Sequence, residues 1–234
     1  MAQNQLIFTD EFNGSGLDAA WQVTLRDDVG NAGTNGWDFD VNLTQPSYLT
    51  VRDITAANPV ANDWRIVDLD RAVPPLGNFH ITIRIAWNSD GPAGQAPILA
   101  NQRLFVEVLD GTGFRMIGNA GFNDSWGNDF GTRTINGCCI APSSLPASGS
   151  ALVEVDRTGT TLTFVWDGSV LHTQTISTQG AETIRIQFSH FGGADAHMGT
   201  LSVDSITVEG TLRDNEDDCP NSDLSPTVVI PLDI

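Results

Sequence analysis

The residues able to do chemistry in this 234-residue chain are six tryptophans, 29 acidic side chains and 11 basic ones, every basic one an arginine. An indole at a surface can stack on the apolar C–H face of a sugar ring while neighbouring polar groups bind its hydroxyls. Trp126 is the candidate for that role, in the run Phe122-Asn123-Asp124-Ser125-Trp126-Gly127, with Asn123 and Asp124 as hydroxyl partners. The competing reading is that Trp126 plugs its own loop. Two rows of alternating polar residues offer a second binding chemistry: His80, Thr82 and Arg84 in one, Arg185, Gln187 and Ser189 in the other. Positions two apart on a strand share a face. If both rows lay on one concave face, Arg84, Arg185 and Gln187 would line a polar groove. Guanidinium forks there could engage the carboxylate or sulfate of an acidic polysaccharide. The alternative is that the arginines pair with aspartates nearby.

Bond cleavage asks for more. Retaining glycoside hydrolysis takes two carboxyl groups about 5–5.5 Å apart, one the nucleophile and one the acid/base. The best local pair is Glu107 and Asp110 in Phe105-Val106-Glu107-Val108-Leu109-Asp110. Three apart, they face opposite sides of a strand unless a bulge intervenes. His190 and His197 flank Gly192-Gly193 without a defined partner. Cys138, Cys139 and Cys219 have no zinc-ligand spacing. A bridge from one of the vicinal pair to Cys219 is easier than the strained vicinal ring, and three reduced thiols are the alternative. No nucleophile elbow, phosphate loop or dinucleotide fingerprint occurs.

The elements that must carry these residues read as strands. In Phe79-His80-Ile81-Thr82-Ile83-Arg84-Ile85-Ala86-Trp87 every odd position is large and apolar, the pattern of a strand with one face on a core. Residues 152–156, 160–166 and 170–176 form a meander, with Asp167-Gly168 as its two-residue hairpin turn. Further strands are expected at 6–9, 21–25, 48–51, 64–69, 104–109, 114–117, 183–188 and 200–208. Trp21, Trp87 and Trp166 fall on core faces. Six Asp-Gly or Asn-Gly pairs punctuate the chain, which favours an antiparallel sandwich over a parallel α/β fold. Residues 118–149, rich in Gly, Asn, Ser and Pro, read as one long loop. The domain is expected to span 1–210. Residues 211–234 form an acidic appendage whose short apolar segment, 227–230, is expected to pair with a sheet edge here or in a neighbouring copy.

A net charge of −18 excludes nucleic acid as a partner and repels an anionic membrane surface. No apolar run is long enough to cross a bilayer as a helix. Met1-Ala2-Gln3-Asn4-Gln5 has neither a basic leader nor an apolar core. The lysine-free surface rich in Asp, Asn, Thr and Gly suits a secreted protein whose leader has been removed, a cytosolic one being the alternative.

Phe8-Thr9-Asp10-Glu11-Phe12-Asn13-Gly14, with Leu17-Asp18 and Trp21, resembles the opening of concanavalin-A-like lectin/glucanase jelly rolls. Gly199-Thr200-Leu201-Ser202-Val203-Asp204-Ser205-Ile206 resembles their closing strand. The resemblance implies an all-β antiparallel jelly-roll β-sandwich over about residues 6–210, with the first and last strands side by side. It also implies a structural calcium at Glu11 and Asp204, where a divalent ion would offset two carboxylates. The catalytic strand of the glucanases reads Glu-x-Asp-x-x-Glu, and this chain departs from it. The reading is therefore a secreted, calcium-stabilised domain that binds a polysaccharide or glycan without cleaving it. A filament or surface-assembly subunit acting through residues 227–230, and a hydrolase or lyase with non-standard groups, are the alternatives. The segment Asp217-Asp218-Cys219-Pro220-Asn221 resembles part of a thrombospondin type 3 calcium repeat but lacks its full ladder of acids.

Overall fold

The computed structural model describes residues 4–27, 39–44, 48–53, 64–88, 102–113, 115–124, 132–135, 138–139, 148–176, 180–191 and 200–213. The described residues hold fourteen strands and no helix, and every pairing between strands is antiparallel.

The longest strand organises the rest. β5 (Trp64–Asn88) unites the two segments expected at 64–69 and 79–87 into one. Its first half pairs with β2 (Trp21–Asp27) on one side and β13 (Ala181–Phe191) on the other. From β13 that layer continues through β6 (Gln102–Leu109), β7 (Arg115–Asp124), β8 (Thr132–Ile135) and β9 (Cys138–Cys139). The second half of β5 pairs instead with β10 (Ser148–Thr158) and β14 (Thr200–Leu212). Beyond β10 lie β11 (Thr161–Trp166) and β12 (Ser169–Thr175). The far edge of β14 is shared by β1 (Gln5–Asp10) and β4 (Tyr48–Asp53), and β3 (Phe39–Thr44) lies beyond β4. β5 thus crosses from one layer to the other around Pro74-Pro75-Leu76. Proline cannot donate to a ladder, so it suits the point where one set of partners is exchanged for another.

The inner faces close on a single core. Val67 and Leu69 from the first half of β5 join Phe79, Ile81, Ile83 and Ile85 from the second, with Val106, Ile186, Val153, Phe164 and Ile206 from their neighbours. Trp21, Trp87 and Trp166 are buried as their strand parity required. Asp167 and Gly168 both adopt left-handed φ, 47° and 75°, as a type I′ hairpin demands.

The opening motif is a latch. The Asp10 carboxylate accepts the Trp21 indole N–H at 2.8 Å and the Phe12 amide at 2.9 Å. Arg71 lies 3.6 Å from Asp10 and stacks over the Phe8 ring, 4.2 Å from its centroid. These contacts hold Phe12, at φ 48°, in the core.

Two expectations change. Residues 118–124 continue β7, and short strands occur at 132–135 and 138–139, so the stretch after 118 is not one long loop. Its Gly- and Asn-rich sequence hides strand character because the partner β6, not side-chain propensity, supplies the structure. β14 also runs two residues past the boundary drawn at 210.

Candidate functional site

β13 lies between β5 and β6, and register alone assembles a charged ladder on the face turned away from the core. Arg185 stands opposite Asp70 on one side and Glu107 on the other, and Gln187 stands opposite Asp68. The guanidinium clasps Asp70 through Nε–Oδ1 at 2.6 Å and Nη2–Oδ2 at 2.8 Å. Its Nη1 lies 3.5 Å from Asp68 Oδ2 and 3.6 Å from Glu107 Oε2. Gln187 Nε2 donates to Asp68 Oδ1 at 2.8 Å. The Asp70 hydrogen bonds, aided by the charges of Asp68, Asp70 and Glu107 and opposed by burial, hold Arg185 above the ordinary arginine range.

Access to this ladder is uneven. Glu107 is 0% exposed and Asp68 2%, whereas the Asp70 and Arg185 side chains keep 24% and 16% of their surface. Asp70 and Arg185 are therefore the members that meet solvent. Ser189, two residues beyond Gln187 on β13, is buried at 4% exposure, and its hydroxyl has no hydrogen-bond partner among the described residues.

The pair considered for hydrolysis divides between two tasks. A register irregularity does fall on either side of Val108 in the β6–β7 ladder. Asp110, however, folds its carboxylate onto Thr112, accepting from the amide at 2.9 Å and the hydroxyl at 2.7 Å. It is a turn-builder, while Glu107 belongs to the ladder.

Arg185 and Gln187 share this one site. Arg84 lies on the other half of β5, within the other layer, where its Nε sits 3.5 Å from Asp204 Oδ2. The two polar rows therefore do not line a common groove, because β5 changes layers between residues 70 and 80. Both arginines pair with local aspartates. Asn123 and Asp124 end β7 opposite Arg103 and Gln102 rather than lying in a loop. Trp126, His197, Cys219 and residues 227–230 lie outside the described residues.

β1 does run beside β14, with Asp10 opposite Ile206, so Glu11 and Asp204 lie just past the end of that ladder. Glu11 is exposed and accepts Asn13 Nδ2 at 3.2 Å. Glu11 and Asp204, the latter facing a guanidinium, can supply two of the roughly six to eight oxygens that calcium takes, the rest falling to backbone carbonyls and water. Among the described residues no three His, Cys, Asp or Glu side chains group as metal ligands.

Asp68 and Asp70 are the site residues that sequence reading missed. Their signal is the run Val67-Asp68-Leu69-Asp70, two acids at strand spacing between core aliphatics, matching the spacing of Arg185 and Gln187.

No protein-family model and no curated protein sequence matches the chain. Solved structures do. The catalytic domain of an endo-1,3-β-glucanase (laminarinase) from Thermotoga petrophila RKU-1 superposes with TM-score 0.55 at 12% identity, over 91% of this chain and 100% of that one. An endo-acting O-glycanase, from work on human gut microbiota members that initiate mucin breakdown, gives 0.55 at 14% identity over 90% and 100%. A GlcNAcα1-4Gal-releasing endo-β-galactosidase from Clostridium perfringens gives 0.51 at 14% over 89% and 62%. The chain spans less than two thirds of that endo-β-galactosidase and 17% of a sialidase. The likeness is one of fold: with the strand order and the paired first and last strands, it shows that this chain is an all-β antiparallel jelly-roll sandwich built like the laminarinase and O-glycanase domains.

Proposed function

We propose that this protein is a glycan-binding jelly-roll domain that does not cleave its ligand. Its ligand face is the outward side of the β2–β5–β13–β6 layer, centred on Asp70, Arg185 and Gln187. The observation that carries the reading is the state of the carboxylates there. Hydrolysis by two carboxyl groups needs both within reach of one glycosidic bond. Here Glu107 and Asp68 offer almost no surface, and Asp70 is clasped by Arg185. Planar, fixed, hydrogen-bonding groups at a partly exposed rim suit recognition of hydroxyls. The named activities of the laminarinase and the O-glycanase, both directed at glycans, favour the same ligand class for this fold.

A glycan array paired with a reducing-sugar assay on the bound polysaccharides tests this. Binding without release of reducing ends is expected. Release that survives in an Asp70→Asn/Glu107→Gln variant would place catalysis elsewhere, and release lost in it would make the ladder catalytic. The same reading puts the protein outside the cell, in keeping with its lysine-free acidic composition, and fractionation of cells from medium checks it. Calcium at Glu11 and Asp204 belongs to the proposal as well, with the ion drawing Asp204 away from Arg84.

A further inference from the structure

Resting on that glycan-binding reading, we propose that the Asp70–Arg185 rim selects saccharides bearing a free amine, an unacetylated hexosamine above all, and rejects uronate- or sulfate-bearing ones. The usual anion-binding device is spent. The Nε/Nη2 edge of Arg185 is on Asp70, and its Nη1 faces Asp68 and Glu107. A uronate or sulfate would have to displace an internal carboxylate and would arrive beside three of them. An ammonium meets the opposite situation. A carboxylate has about four acceptor positions, and Arg185 uses two of those on Asp70, the acid of the ladder with most access to solvent. The net charge of −18 draws cations toward the molecule from a distance.

A second observation points to a ligand independently of charge. The Ser189 hydroxyl, on the same face of β13 as Gln187 and Arg185, is buried without a hydrogen-bond partner among the described residues. A buried hydroxyl left unpaired is unfavourable, and a saccharide hydroxyl is a chemical match for it. Amine and hydroxyl recognition together describe an amino sugar.

The test measures binding of the full chain to a glucosamine oligomer, its N-acetylated counterpart, a neutral β-glucan oligomer and polygalacturonate. Two variants accompany it. Gln22→Lys places an ammonium at an exposed position directly opposite Asp70 on β2. Glu209→Gln removes an exposed carboxylate opposite His80 in the other layer. Each raises the net charge by one, so long-range attraction changes equally. The glucosamine oligomer is expected to bind tightest. Gln22→Lys is expected to weaken it about fivefold or more, since a like charge then sits about 5 Å from the site, and Glu209→Gln less than about twofold. Equal or tighter binding of the acetylated, neutral or acidic ligand overturns the amine assignment while leaving the glycan reading in place. Equal weakening by both variants overturns the site. Binding of none of the four overturns the inference, and an array negative for all sugars overturns the reading beneath it.

Discussion

Replacing Arg185 with Met isolates what the guanidinium does. The substitution keeps a long flexible side chain and removes the charge and all donors. Two charge-assisted hydrogen bonds to Asp70 are lost, each about 1.5–3 kcal/mol. Asp68 and Glu107, at 2% and 0% exposure, lose the guanidinium that lies 3.5 and 3.6 Å from them. Breaking a buried pair from one side costs about 3–5 kcal/mol, because the remaining charge stays desolvated. For a chain of this size that is a fall in Tm of roughly 6–20 °C. Denaturant melts at pH 7 read it. Arg185 itself stays charged at that pH in the native protein, since its neighbours hold its proton more firmly than usual. A loss below about 1 kcal/mol refutes the view that Arg185 neutralises this ladder.

Asp10→Ala removes the acceptor of the Trp21 indole and the Phe12 amide and the partner of Arg71. A loss of about 2–3 kcal/mol is expected by chemical denaturation, with a changed tryptophan emission. An effect under about 0.5 kcal/mol would reduce the latch to a coincidence of packing. For calcium, millimolar addition after chelation is expected to raise Tm, and Arg84→Gln to enlarge the rise by freeing Asp204. An unchanged Tm in both proteins removes the ion from Glu11 and Asp204.

Much of the fold is legible in the sequence because its causes are local. Odd-position aliphatics from Phe79 to Trp87 fix which face of β5 is buried. Asp167-Gly168 fixes a turn through the left-handed φ it tolerates. The strand over 118–124 was not legible, since Gly118, Asn119 and Gly121 carry no β preference and take their structure from the facing β6. The site was half legible. Arg185 and Gln187 announce a polar row, but their partners lie 115 and 119 positions away in sequence, and only the pairing of β13 with β5 brings them together. Arg84 reads as a member of the same kind of row because it too alternates with large apolar residues. Nothing short of the layer crossing in β5 separates the two.

The ladder also resolves an ambiguity that the core leaves open. Aliphatic alternation decides which face of β13 meets the core, so a slip of one residue against β5 would turn Ile184 and Ile186 to the outside and is forbidden. A slip of two residues is different. The core side chains Ile184, Ile186, Val67 and Leu69 would still face inward, and the core would discriminate only through fine packing. The polar face discriminates sharply. Moved by two, Arg185 would face Asp68 with Gln187 against Ile66, and the two-bond clasp on Asp70 and the Gln187–Asp68 bond would be lost together. A ladder of apolar residues would be as stable or more so, since buried ion pairs seldom exceed hydrophobic replacements, but it would leave the two registers close in energy. The charged ladder thus sets the one register in which Asp70 and Arg185 stand side by side at the rim, so the contacts that align the sheet are those that present the proposed ligand face.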